Sequence, residues 1–143
     1  MKSYVIDACV AVKWIFPKRK EENYISQAIH LLQTIKQGSI KVLQPTHWLA
    51  ETAAVVVRIE PKIAEEVVKI LSDMELPIID TPEIYQIACQ LSIHLNHHLF
   101  DTLYHAVAIH TGNAKFITAD DLYYKKASKQ GNIIRLADFH IEH

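Results

Sequence analysis

With 143 residues, half of them hydrophobic, the chain can bury one sizeable core, and its 3 glycines and 5 prolines are too few and too scattered for a flexible linker. A formal net charge of -1, from 15 basic and 16 acidic residues, excludes a protein that gathers polyanions by bulk charge, so any nucleic-acid contact has to come from a local patch. The sequence holds no apolar run of signal-peptide length and none near the ~20 residues of a membrane span, so one soluble, cytoplasmic domain over residues 1–143 is expected.

Tyr4, Val5 and Ile6 favour a short buried strand that ends on Asp7. Ala8 to Phe16 predicts a short buried helix, and Pro17 stops it. Lys18-Arg19-Lys20-Glu21-Glu22 is a charged connection, after which Tyr24, Ile25, Ala28, Ile29, Leu32 and Ile35 keep helical spacing up to Gly38. Ile40 to Leu43 predicts a second strand, and Thr46 a cap for a helix carrying Trp48, Leu49, Glu51, Thr52, Val55 and Val56. Pro61 opens the next helix, with Ile63, Ala64, Val67, Val68, Ile70 and Leu71 as its stripe.

Leu76 to Ile79 predicts a third strand, and Asp80-Thr81-Pro82-Glu83 opens a helix that ends at an Asn96-His97-His98 break. A helix from Phe100 or Asp101 to Gly112, a strand from Lys115 to Thr118, a helix led by Asp120-Asp121 and a strand from Asn132 to Leu136 complete the pattern. Short strands alternating with helices predict a three-layer α/β/α domain around a mainly parallel sheet of four or five strands. Cys9 and Cys89 have neither CxxC nor paired-ligand spacing and are expected to be reduced core thiols.

Asp7, Glu51, Asp101 and Asp120 occupy apolar or element-terminal settings, with Asp121 next to the last. Asp7 and Asp120 follow apolar strands, so a parallel sheet puts both at its carboxyl edge, where ligands bind in open α/β folds. Taken singly, each acid has a plain alternative: Asp7 and Asp101 as helix caps, Glu51 on an exposed helix face. Taken together, like charges in one pocket call for a cation, and oxygen-only ligation suits Mg²⁺ or Mn²⁺. Thr118 either orients a ligand there or is an ordinary strand residue.

The stretches Val5-Ile6-Asp7-Ala8 with Val10-Ala11-Val12-Lys13-Trp14, Leu49-Ala50-Glu51, Phe100-Asp101-Thr102-Leu103-Tyr104-His105-Ala106 and Ile117-Thr118-Ala119-Asp120 resemble, in order, the acidic motifs of PIN-domain ribonucleases, and among them VapC-type toxins of toxin–antitoxin pairs. The resemblance implies a PIN-like fold and a metal-dependent endoribonuclease that hydrolyses RNA phosphodiester bonds. It gives Asp7, Glu51, Asp101 and Asp120 the catalytic, metal-holding roles, with Asp121 as a secondary ligand or water-holder, and a cognate antitoxin as partner. Water attack with release of the 3′ oxygen would leave a 5′-phosphate and a 3′-hydroxyl.

The chain departs from a strong nuclease in having no evident basic groove, so a PIN-like protein- or RNA-binding module stands as the alternative. Lys13 is either a phosphate contact or a helix-face lysine, and the apolar Val55-Val56-Val57 points to a homodimer or an antitoxin surface. His94, His97 and His98 read as a polar linker, His105 as a neighbour of the site outside its catalytic set, and His140 and His143 as a ragged tail. A serine-hydrolase elbow and a Gly-rich phosphate loop are both absent from the sequence.

Overall fold

The computed structural model describes residues 1–20 and 22–140; Glu21 of the charged connection and His143 of the tail lie outside the described residues. Strands β1 (Ser3–Ile6), β2 (Lys41–Val42), β3 (Ala114–Thr118) and β4 (Ile133–Arg135) form one parallel sheet in the order β2-β1-β3-β4. In the central pair, Ser3, Tyr4, Val5 and Ile6 lie opposite Ala114, Lys115, Phe116 and Ile117. All four residues of β1 are buried, which is why it reads as a continuous apolar run instead of an alternation.

The helices are α1 (Ala8–Ile15), α2 (Ile25–Lys36), α3 (Trp48–Ile59), α4 (Ala64–Ser72), α5 (Pro82–Leu95), α6 (Leu99–Thr111) and α7 (Asp121–Ala127). Side chains alternate across a strand, so Val5 and its partner Phe116 share a face. There the Phe116 ring stacks on Tyr104 of α6, with centroids 5.6 Å apart. Tyr4 faces the other way, where its ring meets Phe139 edge-on and Phe139 in turn lies against His30 of α2. Helices on both faces of the parallel sheet make the three-layer α/β/α arrangement expected from the sequence.

The expected third strand, Leu76 to Ile79, makes one parallel bridge between Ile78 and Gln44 and no more. Gln44 N donates to Pro77 O and Gln44 O accepts from Ile79 N, both at 2.9 Å. The next rung towards Val42 would need an N–H on Pro77, and proline has none. Helix α6 starts at Leu99, with His98 in the N-cap position, so Asp101 lies inside the first turn and does not cap it. His47, not Thr46, occupies the N-cap position of α3, and Gly112 at φ +86° closes α6 as expected.

Three further expectations change. Cys89 is exposed, because α5 turns it away from the core, whereas Cys9 is partly buried. Lys13 is buried and its Nζ lies 2.9 Å from Glu22 Oε1, so its charge is spent inside the fold, not on a phosphate. Val56 points into the core while Val57 is exposed, so the three valines do not form one face. Among the described residues no helix is long and apolar enough to cross a membrane.

Candidate active site

The site is built at the carboxyl ends of β1 and β3. Ile6, the last residue of β1, is clamped by the buried side chain of Gln44: Ile6 N donates to Gln44 Oε1 at 2.8 Å, and Gln44 Nε2 donates to Ile6 O at 2.9 Å. On the other side Asp7 N donates to Ile117 O at 3.0 Å. The backbone that presents Asp7 is therefore fixed from both neighbouring strands. Asp7 occupies the N-cap position of α1 without a well-formed capping hydrogen bond, and the Cys9 backbone acts on it only weakly. Its Oδ2 instead accepts from Thr118 Oγ1 at 2.8 Å.

Thr118 Oγ1 also accepts from Asp120 N at 3.0 Å, tying the two ends together. Asp120 is itself a helix cap, its Oδ1 accepting from Tyr123 N at 3.1 Å, which leaves Oδ2 free of that bond. Asp121, the first residue of α7, is exposed and helps Asp138 hold the Arg135 guanidinium in its charged form.

Burial pushes the Asp7 carboxyl up to about 6; the Thr118 hydroxyl opposes the shift and the charge of Asp101 adds to it. Asp101 Oδ2 lies 2.6 Å from His97 Nε2 and 3.0 Å from His98 Nε2. On α3, Glu51 Oε1 accepts from the Tyr104 hydroxyl at 2.7 Å and lies 3.3 Å from His47 Nε2. Burial alone would raise Glu51, but His47 and Tyr104 outweigh it and the group is held below its usual range. The Tyr104 phenol is pushed far up by burial, then by Glu51 and by Asp7, so both acids act on one hydroxyl. Tyr123 is raised by burial and by Asp101 and Asp7 in the same way.

Asp7 and Asp101 thus share a field, Glu51 joins them across Tyr104, and Asp120 joins them through Thr118. They do not close into one tight shell. Among the described residues the only set of three or more His, Cys, Asp or Glu donors within 4.8 Å of one another is His97, His98 and Asp101. The acids are not without partners either, since two histidines hold Asp101 and a third holds Glu51. A carboxylate raised by burial, with a neighbouring carboxylate adding to the shift, is what a cation relieves, and the oxygen donors of Asp7, Asp101, Glu51 and Asp120 suit a hard divalent ion. By donor type these oxygens suit Mg²⁺ or Mn²⁺, although they do not form one shell.

His105, one turn beyond Asp101, is fully buried and points elsewhere: its Nε2 donates to Gly131 O at 2.7 Å, leaving Nδ1 to accept from the Tyr123 hydroxyl at 2.8 Å. Sequence reasoning passes over Gln44 and the Tyr104 hydroxyl, which hold Asp7 and Glu51 in place. The only signal for Gln44 is an amide between Leu43 and Pro45 at a strand end, and Tyr104 reads as one more member of an apolar stripe.

The PIN domain profile matches residues 4–129, and the chain belongs to this family. Two solved structures are similar in fold. One is a chain of VapBC2 from Rickettsia felis, crystallised bound to a DNA fragment from their promoter; the likeness has a TM-score of 0.63 at 19% identity and covers 93% of this chain and 96% of that one. The other is PAE2754 from Pyrobaculum aerophilum, with a TM-score of 0.64 at 14% identity over 95% and 90% of the two chains. No curated protein matches the sequence.

Proposed function

We propose that the protein is a metal-dependent endoribonuclease and the toxin of a toxin–antitoxin pair. The observation that carries this reading is the Asp7 carboxyl, raised by burial and further by Asp101, and oriented by Thr118 at the carboxyl edge of the sheet. Asp7, Glu51, Asp101 and Asp120 would hold Mg²⁺ or Mn²⁺, with Asp121 at the margin. When bound, such an ion neutralises charge on the phosphate and lowers the pKa of water. Thr118 fixes the rotamer of Asp7, and Tyr104 and His47 keep Glu51 ionised and aimed. Lys126, exposed beside Asn96 and His97, offers a cation to an approaching RNA phosphate where the net charge does not.

The likeness to a chain of a VapBC complex supports a small antitoxin partner. An apolar groove of about 520 Å³ between α1, α2 and α4, lined by Trp14, Leu32, Val67, Ile70 and Leu71, would seat an amphipathic segment of it. A homodimer in the cytoplasm belongs to the same reading. The alternative, a PIN-like module that binds protein or RNA without cutting, is favoured by one feature: Asp101 already has two imidazoles on one oxygen.

The test is an RNA cleavage assay with Mg²⁺ or Mn²⁺, with EDTA, and with Asp7→Asn and Asp120→Asn. Cleavage that needs the ion and both acids, leaving 5′-phosphates, is the expected result. Equal cleavage in EDTA or in the double variant overturns the metal-nuclease reading, and RNA or partner binding without any cleavage favours the module.

A further inference from the structure

The rings of His97 and His98 stack with centroids 4.9 Å apart and 24° between their planes, and both Nε2 atoms converge on Asp101 Oδ2, at 2.6 Å and 3.0 Å. We propose that these three side chains form a binding site for a transition-metal ion of the Zn²⁺ class, separate in its chemistry from the oxygen-lined edge next to it. Two imidazoles and one carboxylate are a donor set for borderline ions, whereas Mg²⁺ prefers oxygen and water. Around a tetrahedral ion with bonds of ~2.0–2.1 Å, donor atoms lie about 3.3 Å apart. The two nitrogen–oxygen separations, 2.6 Å and 3.0 Å, each need to open by less than an ångström, and the three donor atoms already lie within 4.8 Å of one another.

The donors are held before any ion arrives. Asn96 takes the left-handed conformation at φ +49°, ending α5 and turning the chain into His97. His97 N donates to Ser92 O at 3.1 Å, the Ser92 hydroxyl donates to His97 O, and the Tyr123 ring supports the imidazole edge-on at 4.8 Å. His98 is open to solvent, its side chain 65% exposed, so an ion has a route in and a coordination position facing water. One contact has to change: Lys126 Nζ lies 3.3 Å from His97 Nδ1, which must carry the proton once Nε2 binds a metal. Lys126 is exposed and keeps its bond to Asn96 O at 3.1 Å, so releasing Nδ1 is a local adjustment. Asp101 is common to this site and to the proposed nuclease edge, but the site stands on its own geometry.

Co²⁺ is the probe, because a nitrogen-ligated ion of low coordination number absorbs visible light far more strongly than an octahedral one among oxygens. Untagged full-length protein titrated with Co²⁺ should develop that absorption and lose it to Zn²⁺ but not to Mg²⁺. His98→Ala, an exposed change that leaves the core alone, should weaken Co²⁺ binding at least tenfold, as should Asp101→Asn, while Asp7→Asn keeps the absorption. Absence of the strong absorption in the wild type overturns the proposal, as does wild-type affinity in His98→Ala or loss of the absorption in Asp7→Asn. No RNA cleavage is read, so failure of the nuclease reading would leave this result standing, and the reverse.

Discussion

Thr118 Oγ1 donates to Asp7 Oδ2 at 2.8 Å, joining residues 111 positions apart in the chain. The pairing of Ile6 with Ile117 brings the two within reach, since the next residue on each strand then lies side by side at the sheet edge. The bond lowers the Asp7 pKa against the dominant effect of burial. Thr118→Val should therefore move Asp7 above about 6 and shift the acid limb of RNA cleavage to higher pH. It should also cost about 1–3 kcal/mol, because Asp120 N loses its acceptor in the same step. A pH–rate profile and a denaturant melt check both effects; an unmoved acid limb would show that Asp7 ionisation does not govern activity.

The raised Asp7 pKa fixes the sign of a stability profile. A carboxyl at 3.8 unfolded and about 6 folded holds its proton in the native state over that interval and not in the unfolded one, so metal-free stability falls as pH rises from 3.8 through 6. The difference is on the order of 3 kcal/mol. Asp7→Asn should flatten this slope and raise the metal-free melting temperature at pH 7.5 by about 3–9 °C. Mn²⁺ should stabilise the wild type and not the variant. A variant that melts below the wild type without metal would mean that ionised Asp7 stabilises the fold.

The fold was legible because its strands are buried on both faces: Val5-Ile6 and Phe116-Ile117 announce themselves as apolar runs, and the acids at their ends follow from the parallel topology. The expected third strand misled because Leu76 to Ile79 has strand composition while the missing N–H of Pro77 limits it to one bridge. Periodicity places Tyr104 inside a stripe without saying that its hydroxyl reaches Glu51, a contact between residues 53 apart. His97 and His98 read as a polar break, which is correct for the backbone and silent about two side chains turned onto Asp101. Pattern reports burial; convergence of polar tips needs the packed structure.

Tyr104→Phe isolates one such tip. The ring and its stack on Phe116 remain, and only the donor to Glu51 is lost. Glu51 is held below its usual range, so it contributes stability that is present at neutral pH and lost as pH falls through its folded value. Without Tyr104 that contribution shrinks, with a loss of about 1 kcal/mol at pH 7. Because a partner that orients a ligand typically costs about tenfold or more when removed, Mn²⁺ affinity measured by calorimetry should fall by that factor. Unchanged affinity would take Glu51 out of the metal-holding set.

Gln44 offers the sharpest separation of structure from chemistry, because it touches no acid yet fixes the backbone that carries one. Its amide pairs with both Ile6 N and Ile6 O, extending β1 by a rung where β2 has already ended. Gln44→Leu preserves volume but leaves a buried donor and a buried acceptor unpaired, at about 1–3 kcal/mol for each group, so a loss of several kcal/mol is expected. Gln44→Glu should be distinguishable from it. A carboxylate still accepts from Ile6 N but sets a negative oxygen against Ile6 O, so it must hold a proton to restore the pair, and the variant should regain stability as pH falls. Denaturant melts of both variants between pH 5 and 8 test this, with the leucine variant equally weak throughout. If Gln44→Leu were as stable as the wild type, Asp7 would have to be positioned by Thr118 and the Asp7 N bond to Ile117 O alone.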